Sequence, residues 1–412
     1  LTLKFDQVLD QVQRMGRSVA YRTQEASERG QRALDEWGNL GSLEAVHDRI
    51  RLVREKDAGY RGAAAHRELL NQAFVCPPAP DRAVVVAVDG SQVYPDLHAP
   101  ALYYLTNVGR FTYFHGQGEL PLEGSSPELF YADSDLREHH GHGSVIKNTA
   151  VNLRRDVKEL QALTLACWDQ RELGLPLVGL RDGRLLWWAG KDAPDADRLQ
   201  QDYRRSLGDF YEVHLRHQHQ FGQNASLAGY VESDDSSFVI RLLHLMSLEE
   251  DQITRTTLET AGDYEGLNDG WLFSRVLRPG QRSAVMIQQS PQNRDYKRHW
   301  GQEFEITFFY LNVGSLYKPH IARIEIPFWV AQSDQAIEEV HSLVWAQTQL
   351  ANPYPYVLTR ADELARVSNM EKQHLENMIV VELLKHDQDV DKSPKLTGKE
   401  QTRSPKISYQ RG

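Results

Sequence analysis

Hydrophobic positions change their period several times along the chain, and each change marks an element. Near the start Leu3, Phe5, Val8, Leu9 and Val12 recur at helical spacing, and helical character runs over 3–73. A glycine break at "NLGS" divides this region, with Ser42 placed as the N-cap of the second segment and Glu44 shortly after it. The pattern predicts a helical hairpin. "CPPAPDR" at 76–82 reads as a linker. From 83 the period shortens. "AVVVAVD" reads as a buried strand, and "ALYYLTNVGRFTYF" at 101–114 as two strands around Gly109. "EGSSPELFYADSDLREHHGHGS" reads as a loop. One helix is expected from Ser144 until Gly174 and Pro176 end it, and "PLVGLRDGRLLWW" reads as a strand, a turn and a second strand. A helix over 196–220, a strand at "ASLAGYVE" and a helix near 236–249 follow. Then come three strand-like runs, "RSAVMIQQS", "FEITFFYLNVG" and "IARIEIPFWVAQ", and helices at 334–350, 357–367 and 369–385. Strands, helix and strand in that order predict a mixed α/β domain with acids at its strand ends.

Composition leaves this picture standing. The 412 residues are 41% hydrophobic and 25% charged, ordinary values for a globular protein. No run approaches 18 apolar residues, so no membrane-spanning helix is expected. The amphipathic, acid-bearing start lacks the features of a signal peptide, and a cytoplasmic location is expected. Cys76 and Cys167 lack the CxxC spacing of a zinc framework and read as two buried thiols. The net charge of −10 speaks against a protein coated in nucleic acid, yet a local basic channel is enough to hold phosphates. No GKS/T phosphate loop is present, so the chain is not expected to hydrolyse ATP. From Lys392 onward six basic side chains stand against Glu400 alone, the composition of a flexible basic tail that is either solvated or touches DNA or a partner.

The chemistry worth testing begins at "VVVAVDGS". An aspartate at the end of a buried strand is costly unless something compensates it, and a divalent cation is one such compensation. The alternative is a turn that Asp89 and Gly90 begin. The pattern recurs at "VGLRDG", where Asp182 and Gly183 either end a strand at a site or form a hairpin turn. Between the two lies the long helix with Asp156 and Glu159. Two strand-end aspartates and a helical acid can converge on Mg²⁺ or Mn²⁺, and two such ions support phosphodiester cleavage.

These stretches, in order, resemble the NurA nucleases. "VVVAVDGSQV", "LRRDVKELQAL" and "VGLRDGRLLW" carry the resemblance, with "LNDGWLFSRVLRPGQRSAVM", "ITFFYLNVG", "ARIEIPFWVA" and "NPYPYVLTRADELARVSNMEKQHLENMI". It runs from about 83 to 380. It implies an RNase H-like core within a NurA nuclease domain at 76–385, preceded by an N-terminal helical arm at 1–75 and followed by a basic tail at 386–412. It also implies a homodimer that uses Mn²⁺ (or Mg²⁺) to cleave single- and double-stranded DNA with 5′→3′ polarity. The implied partner is a HerA-type hexameric ATPase in DNA-end resection. The family's metal-binding and catalytic positions fall on Asp89, on Glu159 with Asp156 as the alternative, and on Asp182. A C-terminal position that is usually histidine in the family falls on Asp362, a departure that leaves either an all-carboxylate site or a weakened enzyme kept as a DNA-binding scaffold.

Other residues carry weaker signals. His139, His140 and His142 lack a zinc template. His214, His217 and His219 read as a solvated helical face. "YKRHW" at 296–300 and "YKPH" at 317–320 mix cations and aromatics, as single-stranded DNA binding requires, or are scattered surface residues. One of Trp187 and Trp188 is expected in the core and the other against a helix. Tyr354 and Tyr356 precede Asp362 closely enough for one to reach the site, or both pack beside prolines.

Overall fold

Residues 83–88 are buried without exception, so the strand that carries them needs cover on both faces. The structure, a computed structural model, describes residues 4–56, 59–137, 143–187, 189–190, 195–232, 235–351 and 353–386. Among them a single sheet contains β1 (Ala63–Ala65), β2 (Ala83–Val93), β3 (Tyr104–His115), β4 (Leu122–Phe130), β5 (Leu177–Asp182), β6 (Ala225–Val231), β7 (Met286–Gln288), β8 (Ile306–Asn312) and β9 (Ile321–Pro327). Their order is β1-β7-β8-β9-β6-β5-β2-β3-β4. β2, β3 and β4 run antiparallel to one another, β2, β5 and β6 run parallel, and β9, β8, β7 and β1 extend the sheet antiparallel beyond β6. The segment β4-β3-β2-β5-β6 is the expected RNase H-like core.

Helices cover this core because its parallel strands need crossovers. Asn148–Gln170 links β4 to β5, and Ala196–Phe221 links β5 to β6. The first buries Val157, Leu160, Leu163 and Cys167 against β2 and β5. Asp334–Ala351 and Tyr356–Ala365 pack on the sheet, the latter against β2 and β3. A second core holds the other end of the sheet. There Ala33 and Trp37 from the helix Phe5–Gly38, Leu40 from the connection after it, and Val46, Ile50 and Val53 from Leu43–Glu55 meet the helices Phe238–Ser247 and Asp269–Val276. Ser42 accepts from the backbone N–H of Ala45, so the expected N-cap is present.

Four local readings change. The helical reading of 3–73 stops at Glu55, and Ala63–Ala65 forms β1 on the edge of β7. β3 is one strand that runs through Gly109. The expected loop after 122 begins with β4, an edge strand exposed on both faces, so no apolar alternation announces it; Pro127 is tolerated there. Finally, "LVGLRDGRLLWW" is no hairpin. β5 already has parallel neighbours on both edges, which leaves no edge for a returning strand. The segment after it is held by side chains instead: Glu325 accepts from the backbone N–H groups of Leu185 (2.7 Å) and Leu186 (3.2 Å).

Both cysteines are free thiols, Cys167 buried and Cys76 half-buried. No described helix is long and apolar enough to cross a membrane. His139, His140, His142, Trp188 and the basic tail from 387 lie outside the described residues.

Glu325 also pairs with Arg323 at 2.7 Å, and both side chains are 0% exposed. Glu325→Leu removes the carboxylate from a buried guanidinium and the acceptor from two backbone donors. The expected loss of unfolding free energy is about 3–5 kcal/mol, with a smaller loss for Glu325→Gln, which keeps an acceptor. Urea denaturation checks both; a Leu variant within about 1 kcal/mol of the parent chain would contradict the account.

Candidate active site

Asp89 does not end its strand. β2 continues to Val93 alongside β3, but its pairing with β5 stops at Val88 opposite Arg181. Asp89 therefore stands where its parallel neighbour also finishes, one residue before Asp182 closes β5. The carboxyl ends of parallel strands are where open α/β sheets bind ligands. Side chains alternate between faces, so Asp89 and Asp182 share one face while Gly90 and Arg181 point to the other.

A helix brings the third acid to the Asp89 face. Gly109 is paired with Asp89 across the β2–β3 ladder. A Cβ at Gly109 would lie 2.3 Å from the Ala361 carbonyl oxygen and 2.5 Å from the Ala365 nitrogen, so the helix Tyr356–Ala365 rests directly on β3 backbone. Its last carbonyls are capped from the sheet: Asn107 Nδ2 donates to Ala365 (2.8 Å) and Leu364 (3.2 Å), and Ser91 Oγ donates to Ala365 (2.5 Å). Ser91 is thus a helix-capping residue. Asp362 sits in the C-terminal half of this helix, close enough to act on Asp89 electrostatically. A carboxylate there opposes the helix dipole, so Asp362 does not stabilise its own helix.

The electrostatics follow from this crowding. Asp89 is pushed up from its ordinary 3.8 to about 6, first by burial and then by Asp182 and Asp362, against the Gly90 N–H and Arg155. Asp182 reaches solvent at the strand end, yet surrounding protein raises its pKa too, against a hydrogen bond donated by Tyr354. Tyr354, whose own pKa is pushed up by burial and then by Asp182, is the tyrosine that reaches the acids. Tyr356 packs edge-on against Phe111 and Tyr113.

Glu159 approaches from the other face. Its Oε1 would lie 2.4 Å from a Cβ at Gly90, so this glycine is needed for space, and its backbone stays extended within β2. Glu159 is 4% exposed and meets Arg155 Nε at 3.0 Å and Arg181 Nη2 at 3.3 Å. Burial pushes it up to about 7, although both guanidiniums pull it down. Asp156 is turned elsewhere: it accepts from Arg155 (2.9 Å) and from Trp187 Nε1 (3.1 Å). Between the two helical acids, Glu159 is the one that borders Asp89.

The structure therefore gathers Asp89, Asp182 and Asp362 on one face and sets Glu159 across Gly90 with its charge already balanced. Among the described residues no three His, Cys, Asp or Glu side chains stand close enough as placed to enclose a metal ion. The charge pattern at Asp89 and Asp182 suits a dication, since both carboxylates are crowded and Asp89 also feels the other two acids. Glu159 would join such an ion only by exchanging its arginines.

The remaining candidates are structural. His214 and His217 are buried and bond backbone carbonyls, His214 to Ala225 and His217 to Arg171 and Leu175, so the solvated face holds only for His219. Trp187 is buried and stacks on Tyr203. Tyr296 is buried with its hydroxyl donating to the Trp187 carbonyl, whereas Tyr317 is fully exposed. Sequence reasoning missed Arg155, Arg181, Asn107 and the contact role of Gly109; of these only "LRRD", with arginine four residues before Glu159, gave a local signal.

Residues 83–367 match the NurA domain family. This chain belongs to the NurA family. The match begins at β2 and includes the helix Tyr356–Ala365, so all four candidate acids of this NurA chain fall inside it, and membership supports a nuclease function. Among solved structures, the NurA nuclease from Sulfolobus solfataricus is 12% identical, with 85% of this chain and 97% of that one covered and a TM-score of 0.44. A crystal structure of NurA with manganese is 12% identical over 87% and 98% of the two chains, with a TM-score of 0.36. The catalytic domain of human endonuclease V is 13% identical over 82% and 99%, with a TM-score of 0.31. No curated protein matches the chain.

The raised pKa of Asp89 has a stability consequence. A carboxyl whose folded pKa exceeds its unfolded value stabilises the fold while protonated; that contribution is complete below 3.8 and is lost as pH rises through about 6. Asp89→Asn stays neutral throughout. In chelator at neutral pH it is expected to unfold with about 1–3 kcal/mol more free energy than the parent chain, with the gain vanishing below pH 3.8. A gain that does not change with pH in thermal melts would refute this origin.

Proposed function

We propose that the chain is a divalent-metal-dependent DNA nuclease whose ion, Mn²⁺ or Mg²⁺, is held by Asp89 and Asp182 with Asp362 beside them. The observation that carries this reading is the level placement of Asp89 and Asp182 where the parallel pairing of β2 with β5 stops, both raised by burial and Asp89 also by like charge. A bound dication supplies activation of water and stabilisation of the leaving oxygen in phosphodiester hydrolysis. The chain's own residues do the positioning. Tyr354 holds Asp182 by its hydroxyl, Gly109 and Asn107 fix the helix that carries Asp362, and Gly90 leaves the space in which Glu159 lies, from where it would serve as a fourth oxygen ligand on exchanging its arginines. Exonucleolytic 5′→3′ action on DNA ends, endonucleolytic action on single strands and a cytoplasmic place in end resection follow from the resemblance to the family. So does a HerA-type hexameric ATPase as partner, tested by co-purification with the full chain. The division into an arm at 1–75, a nuclease domain at 76–385 and a tail at 386–412 belongs to the same reading.

Two observations favour a second reading, a weakened DNA-binding scaffold: Glu159 is engaged by Arg155 and Arg181, and Asp362 stands where the resemblance implies a histidine. Cleavage separates the two. Under the nuclease reading the parent chain cuts DNA with Mn²⁺, Asp182→Asn lowers the rate at least about 100-fold, and Asp362→Asn lowers it less and recovers with excess Mn²⁺. A parent chain that binds DNA without cutting it, or a folded Asp182→Asn protein at parental rate, would refute the assignment.

A homodimer is proposed through the first half of the helix Phe5–Gly38. Phe5, Leu9, Val12, Met15 and Val19 are exposed there at spacings of three and four, the seam of a coiled coil, and a second copy of the same helix covers such a seam. Leu9→Glu with Val12→Glu is expected to convert the dimer to a monomer in light scattering; an unchanged mass would count against this seam.

A further inference from the structure

At the edge of the sheet farthest from β4, a cavity of about 410 Å³ is lined by Arg61, Arg241, Arg255 and Arg294, with Glu259 as the sole carboxylate and Pro291 beside them. Arg61 precedes β1 and Pro291 follows β7, which places the cavity five to six strands from β2. At about 4.8 Å per strand that is roughly 24–29 Å from Asp89. Among the described residues none of the four guanidiniums is in an ion pair. Arg241 makes only two long hydrogen bonds, to Ser237 Oγ and the Leu258 carbonyl, both at 3.4 Å.

Two of these arginines stand at helix starts. Arg241 and Arg294 are each the fourth residue of a helix, Phe238–Ser247 and Pro291–Trp300, near the positive end of its dipole. Neither helix has an acid in its first turn. Asp269 caps the first helix by accepting from Val239 and Ile240, while the second has only the Ser290 hydroxyl as its cap. Four like charges thus converge on one cavity, one of them, Arg294, against a helix dipole that no carboxylate offsets, and Glu259 balances one of the four. An anion relieves both penalties. The guanidinium fork and the size of the cavity suit phosphate oxygens.

We propose that this cavity binds a phosphate group, either on a nucleic-acid strand or free in solution. The assignment does not rest on the nuclease reading, because it concerns binding without divalent metal. The test uses the full chain in chelator and the double variant Arg255→Gln, Arg294→Gln. Anisotropy with a short single-stranded oligodeoxynucleotide is read over a range of salt, and thermal melting is read with inorganic pyrophosphate. If the phosphate is on a strand, the variant binds the oligonucleotide at least about tenfold more weakly, and its salt slope falls by about 0.7 for each phosphate that is no longer neutralised. If it is free, pyrophosphate raises the melting temperature of the parent chain and not of the variant, while oligonucleotide binding is unchanged. Either result supports the site; parental behaviour of the variant in both measurements overturns it. Arg294→Gln alone guards against misfolding, because removing a cation from the helix start is expected to leave the ligand-free melting temperature equal or higher.

Discussion

The contact between Gly109 and the helix Tyr356–Ala365 is the constraint on which the candidate site depends. Any side chain at 109 would drive into the Ala361 carbonyl, and the helix would lift from the sheet. Because 109 pairs with 89, that lift would move Asp362 away from Asp89 in particular. The sheet reinforces the contact by satisfying the helix's last carbonyls from Asn107 and Ser91, groups that would otherwise be left without donors. One packing requirement thus closes a helix end and assembles acidic groups at once.

The alternation of β-strand side chains then sorts the charges. Asp89 and Asp182 look one way, towards Asp362 and Tyr354; Gly90 and Arg181 look the other, towards Glu159. The like-charged face is crowded and strained electrostatically, while the opposite face is balanced by Arg155 and Arg181. A dication at the strand ends would reverse this arrangement, drawing Glu159 past Gly90 and freeing its arginines. The guanidiniums act as stand-in counter-charges for the one acid too buried to remain alone.

Much of this was legible in the chain. The apolar runs that end near Asp89 and at Asp182 announced buried strands, and the order of strands and helices announced a mixed α/β domain. The resemblance to the family favoured Glu159 over Asp156 through its surroundings in "RRDVKEL", and in the fold Glu159 is the acid that lies against Gly90. What was not legible is non-local or solvent-facing. Gly109 looked like a break between two strands because the helix it accommodates lies far away; Asn107 and its acceptor Leu364 are 257 residues apart. β4 has no buried face to create alternation, and β1 is three alanines whose strand character comes only from pairing with β7. The failed hairpin at "DGR" shows the same limit, since only the full sheet reveals that β5 has no free edge. The spare arginines at 61, 241, 255 and 294 are separated in sequence and meet only in the fold.

The central claim is that Asp89, Asp182 and Asp362 form one cation site on the Gly109 face. Anomalous scattering from crystals soaked in Mn²⁺ tests it most directly. The account predicts a manganese peak bonded to carboxylate oxygens of Asp89 and Asp182, with Asp362 in its shell and Glu159 drawn away from Arg155. A peak elsewhere, or none in a chain that still cleaves DNA, would contradict it.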